Sequence, residues 1–235
     1  MASEPTEIDQ MNAPKGWFTI PGVQDGKFDL DRQMAGLDVV RRECAGATIL
    51  DLGCAEAFLS LQLAKAGAEL VHGVELEASR VDAAKRLFDQ QCPKVSRQFI
   101  EWDLSRFDEL FLETTPDSRP GGPSLLTRYD IVLCLAIAQK LPNPGRFLRL
   151  ASTLCSDLLA VRLPFPVIDD ARSSNIPVDI RRMVADEFDL IQETEGYPRD
   201  LTRPYQAGDL AWLGIFRRKR KRSGRSGISR LLRGL

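Results

Sequence analysis

Three acids stand where apolar runs end, and their positions are the part of this sequence most able to do chemistry. Asp51 follows Ile49-Leu50, Glu75 follows Leu70–Val74, and Asp103 follows Phe99-Ile100 after two intervening residues. An ionised carboxylate accepts several charge-assisted hydrogen bonds, so an acid at a strand tip suits a diol, an ammonium or an amino group. Gly53 lies two residues after Asp51, where glycine lets backbone come close to a ligand. A fourth apolar run, Tyr129–Leu135, is followed by Gln139 and Lys140. Neither is a strong general base unless the lysine is desolvated and its pKa falls. Any one of these acids alone reads as a solvated loop residue; Asp51, Gly53 and Glu75 together read as a binding site. The single histidine, His72, falls inside an apolar run and reads as structural. Without a second histidine, an H-x-E pair or a carboxylate cluster, the sequence offers no metal site.

Positioning these residues requires a particular order of elements. The run through Leu52, the turn at Gly53, the helical spacing of Phe58, Leu61 and Ala64, and the second run to Val74 make a strand, turn, helix and strand. Such a βαβ unit puts both acids at the carboxyl edge of a parallel sheet, where open α/β folds bind ligands. Strands are expected at about 47–52, 69–74, 97–101, 129–134 and 157–163, and helices at about 57–66, 78–90 and 145–155. A helix is expected after Asp29 to about Glu43, and another from about Val178 to Glu187. The apolar patch of Trp17, Phe18 and Ile20 precedes a turn at Pro21-Gly22. Two late strands, about 188–193 and 210–216, have no helix between them and predict an antiparallel pair. The fold class is α/β: a doubly wound, mostly parallel, seven-stranded sheet with a reversed C-terminal hairpin.

The stretch Asp51-Leu-Gly53-Cys54-Ala55-Glu-Ala57, with Glu75 about 20 residues on, resembles the class I S-adenosylmethionine-dependent methyltransferases. The likeness covers roughly residues 47 to 162 and departs where Ala55 and Ala57 replace glycines usual in that family. It implies a Rossmann-like fold, S-adenosylmethionine as cofactor, and a set of roles. Asp51 would face the ammonium of the methionine moiety, and Gly53, Cys54 and Ala55 would form the turn beneath it. Glu75 would take the ribose diol, with Leu76 against the adenine. Asp103 would accept from the adenine amino group, and Leu104 would present its backbone N–H to the ring. Trp102 is a candidate to stack on the base. Cys134 closes the fourth strand beside the methyl group. Ala136-Ile-Ala-Gln139-Lys140-Leu-Pro-Asn-Pro144 resembles a stretch that often reads His-His-Leu-Pro-Asp-Pro, which makes Gln139 and Lys140 the catalytic candidates. On this reading Ala55 is a mild change and Ala57 crowds the cofactor.

The resemblance leaves the acceptor open. There is no Asn/Asp-Pro-Pro-aromatic stretch and no Pro-Cys after the fourth strand, which turns the expectation toward oxygen of a small molecule or carbohydrate. A nicotinamide-dependent dehydrogenase is disfavoured because G-x-G-x-x-G is incomplete. A non-catalytic cofactor-binding scaffold is the second alternative. A third is a tRNA-modifying enzyme: Pro21-Gly-Val-Gln-Asp25 and Asp51-Leu-Gly-Cys faintly resemble the tRNA wobble-uridine carboxymethyltransferases.

Composition narrows the setting. The chain of 235 residues, 43% hydrophobic, fits one large α/β domain. The expected division is a tail and lid helix over 1–45, the catalytic domain over 46–216 and a basic tail over 217–235. No secretory signal is read near the start, and five scattered cysteines without C-x-x-C suit reduced thiols in the cytoplasm. Nine Lys or Arg and no acid lie from Arg217 onward, leaving 23 basic against 33 acidic residues before it. That acidic body makes nucleic acid a less favoured partner. In the tail, Ile228, Leu231, Leu232 and Leu235 share one helical face, which suits weak contact with an anionic membrane surface.

Overall fold

The computed structural model describes residues 16–20, 26–28, 30–113, 125–164, 176–195 and 211–220. Two short parallel strands, β1 (Gly16–Phe18) and β2 (Gly26–Phe28), open the described chain. Helices α1 (Leu30–Met34) and α2 (Asp38–Glu43) follow. The main sheet is then laid down by β3 (Thr48–Leu52), α3 (Phe58–Lys65), β4 (Leu70–Glu75), α4 (Ala78–Gln91) and β5 (Ser96–Glu101). A single 3-10 turn, Leu104–Arg106, leads into α5 (Phe107–Glu113). The second half comprises β6 (Tyr129–Leu135), α6 (Pro144–Leu154), β7 (Cys155–Pro164), α7 (Ile176–Val184), β8 (Phe188–Glu195) and β9 (Ala211–Arg218).

The seven strands lie in the order β5-β4-β3-β6-β7-β9-β8, with only β9 antiparallel to its neighbours. The expected sheet and reversed hairpin are therefore present. The chain winds outward from β3 through β4 to β5, then returns to place β6 on the other side of β3. That reversal opens a crevice at the strand tips, the place where doubly wound sheets bind ligands.

Strand periodicity accounts for the three layers. Ile49, Ile131, Leu133, Leu158, Ala160, Leu213 and Ile215 pack with Leu61, Leu63, Val81 and Phe88 of α3 and α4. Their alternates Leu50, Leu52, Val132, Leu159, Val161, Trp212 and Phe216 pack on the other face with Phe107, Phe147, Leu148 and Ile180. Successive strand side chains point to opposite faces, so both faces are apolar and both are covered by helices. Register is held at the foot of the sheet: Asp130 Oδ2 accepts from Thr48 N–H and Oγ1, each at 2.9 Å.

Three expectations change. The helix expected after Asp29 to about Glu43 is two helices, because Gly36 at φ 77° breaks it and a Cβ there would meet Leu213 at 2.7 Å. The first helix and the link after it are tied to the sheet by buried Arg162, which donates to Gln33 O at 2.8 Å and Ala35 O at 2.7 Å. Secondly, β9 runs two residues beyond the expected boundary at 216. Arg217 pairs with Glu43 and Asp157, and Arg218 with Glu187, so two charges assigned to the tail belong to the folded sheet. Thirdly, α7 ends at Val184, short of Glu187. The turn expected at Pro21-Gly22, the N-terminal tail through residue 15 and the basic tail from 221 fall outside the described residues.

His72 is structural, as expected. Its Nδ1 is hydrogen-bonded at 2.7 Å to the Tyr129 hydroxyl, which also accepts the Leu126 N–H at 3.0 Å. Burial holds the imidazole down at a pKa of about 4, which keeps the ring neutral. All five cysteines are free thiols. Among the described residues no helix is long and apolar enough to cross a membrane, and no three metal-ligating side chains cluster.

Candidate active site

A cavity of about 470 Å³ occupies the crevice at the tips of β3, β4, β5 and β6. That volume lies within the range of ordinary small-molecule sites. Gly53, Ala55, Glu75, Leu76, Asp103, Leu104 and Lys140 all line it. Seven of the residues singled out from sequence are thus brought together from four different strand ends.

Each reaches the cavity for a local reason. Gly53 sits at φ 82°, and a Cβ there would press on Ile137 at 3.0 Å, so glycine is what lets the turn pass under the loop after β6. The backbone N–H groups of Gly53 and Cys54 donate to Val74 O at 2.8 and 3.1 Å, clamping the turn to the end of β4. Glu75 is buried at the tip of β4. Its Oε2 accepts the Ala55 N–H at 2.9 Å, its Oε1 accepts the Glu77 N–H at 3.2 Å, and Arg80 lies 3.9 Å away. Leu76 beside it is 61% exposed, an apolar side chain left without protein cover inside a binding cavity. Asp103 caps the turn after β5: the Ser105 N–H donates to it at 2.8 Å and holds its carboxyl below the usual carboxylate range. Trp102 also lines the cavity and donates its indole N–H to Arg106 O at 3.1 Å.

Four expected site residues lie behind the wall instead. Asp51 is 3% exposed and takes a 2.6 Å hydrogen bond from the Ser60 hydroxyl. Burial pushes its pKa up to about 6; the Ser60 bond opposes that shift and the Glu75 charge adds to it. Cys54 and Cys134 are buried, and desolvation pushes both thiols well above their ordinary range, which favours the protonated thiol at each. Gln139 folds back, donating from Nε2 to Ala136 O at 2.7 Å, so of the catalytic pair only Lys140 faces the cavity.

The alanines exchange their expected parts. Ala55, at φ 49°, lines the cavity, whereas Ala57, at φ 53°, is fully buried at the entry to α3 and does not line it. Ala57 is therefore strained but does not crowd a ligand. A left-handed conformation costs an L-residue about 1–2 kcal/mol, while replacing glycine by alanine gains about 0.4–1 kcal/mol through the unfolded chain. Ala57→Gly is expected to leave ligand affinity unchanged or improved and to raise the melting temperature by roughly 1–4 °C. Calorimetry and thermal melts check this; a tenfold loss of affinity would mean the turn is built around alanine.

The sequence reading missed much of the opposite wall. Trp17 of β1 lines the cavity, with Lys140 Nζ 4.6 Å and Arg80 Cζ 5.7 Å from its ring centroid. One aromatic ring thus touches cations from the start of α4 and from the loop after β6, on either side of β3. The expected lid helix takes no part in this wall. Glu77, Arg80, Ser105, Leu135, Ala136, Ile137, Leu141 and Pro142 also line the cavity.

No family model matches the chain. Similar curated proteins include the ubiquinone biosynthesis O-methyltransferase of Coxiella burnetii, 29% identical over 109 residues, covering 46% of this chain and 39% of that protein. Another is the protein of the same name from Xanthomonas euvesicatoria, 26% identical over 150 residues, covering 63% and 56%. The chain thus spans about two fifths to just over half the length of these relatives. Among solved structures, magnesium protoporphyrin IX methyltransferase from Synechocystis with bound S-adenosylmethionine superposes with a TM-score of 0.55 at 18% identity, covering 83% of this chain and 86% of that one. An S-adenosylmethionine-dependent methyltransferase from Mesorhizobium loti gives 0.57 at 15% identity, covering 80% and 98%. At these identities the likeness to solved structures is one of fold.

Proposed function

We propose that this chain, a member of the class I S-adenosylmethionine-dependent methyltransferase superfamily, binds S-adenosylmethionine at the β3–β6 crevice and methylates an oxygen of a small molecule or carbohydrate. The observation that carries the reading is the convergence of Gly53, Glu75, Asp103 and Leu104 on one cavity of suitable size. The choice of oxygen is supported by the names of the relatives.

The residues present fit the cofactor. Glu75 has the place for the ribose diol, Asp103 for the adenine amino group, and Leu76 and Leu104 give the base apolar cover. Bound S-adenosylmethionine supplies a methyl group on a sulfonium, already activated toward nucleophiles. The protein's task is then mainly alignment, which can supply much of the rate. Lys140 and Trp17, in contact with each other at the cavity wall, hold the acceptor and steady negative charge on its oxygen. Dissection is direct. Protein denatured after gentle purification is analysed by mass spectrometry for retained small molecules, and methyl transfer is then measured on phenols, sugars and RNA. Transfer to an oxygen acceptor supports the reading. Cofactor binding without turnover favours a scaffold, and transfer to RNA alone favours a tRNA substrate.

We also propose that the tail beyond the sheet makes weak contact with anionic membrane surfaces. Because Arg217 and Arg218 belong to β9, the informative deletion is 221–235, which removes five Lys or Arg. It is expected to abolish co-sedimentation with anionic liposomes, on the order of 1 kcal/mol per charge, and to leave cofactor affinity unchanged. Equal binding to neutral and anionic vesicles would remove the proposal, and a salt-steep RNA gel shift would replace it.

A further inference from the structure

The cavity is not uniform in charge. Its acids among the described residues, Glu75, Glu77 and Asp103, come from the ends of β4 and β5. Arg80, in the first turn of α4, lies 2.9 Å from Glu77 and 3.9 Å from Glu75, so those acids engage its charge. The segment from the end of β6 lines the cavity differently. Leu135, Ala136, Ile137, Leu141 and Pro142 give it an apolar surface, and Lys140 is the one charged residue it contributes. That lysine stands on a pinned turn. Ala136 is held left-handed at φ 59°; its N–H donates to Arg162 O at 2.9 Å and its carbonyl accepts from Gln139 Nε2 at 2.7 Å. The Lys140 N–H donates to Ile137 O at 2.9 Å. The Lys140 ammonium rests 4.6 Å from the centre of the Trp17 ring, and the Trp17 N–H is fixed to Glu56 Oε1 at 2.8 Å. An indole face attracts a cation through its quadrupole and takes no hydrogen-bond donor to do so.

We propose that the acceptor is a carboxylic acid with an apolar body: Lys140 binds its carboxylate, and that carboxylate carries the oxygen that is methylated. The inference deepens the oxygen-methylation reading above and rests on it. Acids at the ends of β4 and β5 repel an anion, and the positive charge on the segment after β6 attracts one. Trp17, Leu135, Ile137, Leu141 and Pro142 offer the body apolar cover. A carboxylate also suits the chemistry, because it arrives ionised and has no proton to surrender. Its oxygen attacks the methyl carbon of the sulfonium. The O–C bond forms as the C–S bond breaks, and the electron pair of the broken bond stays on sulfur. A negative acceptor and a positive sulfonium thus become a neutral ester and a neutral thioether. A sugar hydroxyl would bring Lys140 no charge and would need a base.

The experiment is calorimetry on the full chain saturated with S-adenosylhomocysteine, comparing 2-naphthoate with 2-naphthamide, a neutral molecule of nearly the same shape. Naphthoate is expected to bind about tenfold more tightly or better, the scale of a hydrogen bond to a charged group. Lys140→Met is expected to bring the ratio of the two affinities to about one, whereas Lys140→Arg, which keeps the charge, retains the preference. Should Lys140→Met not fold, Lys140→Gln makes the same comparison. With S-adenosylmethionine as donor, mass spectrometry is expected to show methyl naphthoate. Equal affinity for acid and amide, a preference that survives loss of the Lys140 charge, or bound naphthoate without ester would each overturn the assignment and leave the cofactor reading standing. If S-adenosylhomocysteine did not bind the unaltered protein, the cofactor reading itself would fall, and this inference with it.

Discussion

Replacing Glu75 by alanine is expected to weaken S-adenosylmethionine binding by at least tenfold. The carboxylate lines the cavity at the tip of β4, and a hydrogen bond from it to a ribose hydroxyl would be worth about 1.5–3 kcal/mol. The substitution has a second effect that position alone does not reveal. Glu75 Oε2 satisfies the N–H of Ala55, a residue that is 5% exposed and held at φ 49°. Without that acceptor the N–H is left buried and unpaired, at a further cost of about 1–3 kcal/mol, or the turn shifts away from the ligand. Glu75→Gln separates the Ala55 contribution from the rest, because its one oxygen can still accept the Ala55 N–H while the charge and the acceptor for the Glu77 N–H are lost. Calorimetry on both variants, with thermal melts to establish that they fold, gives the comparison. Alanine is expected to bind more weakly than glutamine, and glutamine more weakly than the unaltered protein. Unchanged affinity in a folded Glu75→Ala protein would remove Glu75 from the site.

The central sheet was readable because its signals are local. Each parallel strand carries an uninterrupted or alternating apolar run, and the acids that end those runs mark the strand tips by their spacing alone. What escaped depends on side-chain direction and on distant partners. Asp51 and Gly53 lie two residues apart, yet one is turned beneath the sheet edge to Ser60 and the other faces the cavity. Nothing in the spacing separates them. Trp17 reads as part of an apolar patch, and only a hydrogen bond spanning 39 residues to Glu56 places it over the cavity. Gly36 was visible in the sequence and did divide the helix, because its backbone is left-handed and Leu213 leaves no room for a side chain. Arg80 carried one faint signal, its place in the first turn of the helix after Glu75, where a cation can reach back to the strand-tip acid. Arg217 and Arg218 looked continuous with the basic tail. Their acid partners, Glu43, Asp157 and Glu187, come from segments that only the fold brings near β9.

Asp51→Asn is expected to stabilise the protein at neutral pH and to change the shape of its pH profile. Burial raises the Asp51 pKa from 3.8 to about 6 in the folded state. The folded protein therefore holds this proton more tightly than the unfolded chain does. Its contribution falls as pH rises from about 4 to 6 and is constant above that, a cost of about 3 kcal/mol at pH 7 for a shift of two units. His72 acts in the opposite sense. Its pKa drops from 6.5 to about 4 on burial, so the unfolded chain binds that proton more tightly, and stability rises with pH across the same interval by a similar amount. The two slopes nearly cancel in the unaltered protein, whose urea midpoint is expected to vary little between pH 4.5 and 6 through these groups. Asparagine at position 51 can still accept the Ser60 hydroxyl proton but no longer titrates. The His72 slope is then uncovered: the midpoint rises at pH 7.5 and falls steeply below about pH 6.5. Cofactor affinity is expected to fall in the same variant, since a negative charge beneath the methionine pocket is lost. A gain in stability joined to a loss of binding is the pattern of a residue kept for function. Parallel pH profiles for the variant and the unaltered protein would instead mean that Asp51 titrates as an ordinary carboxylate.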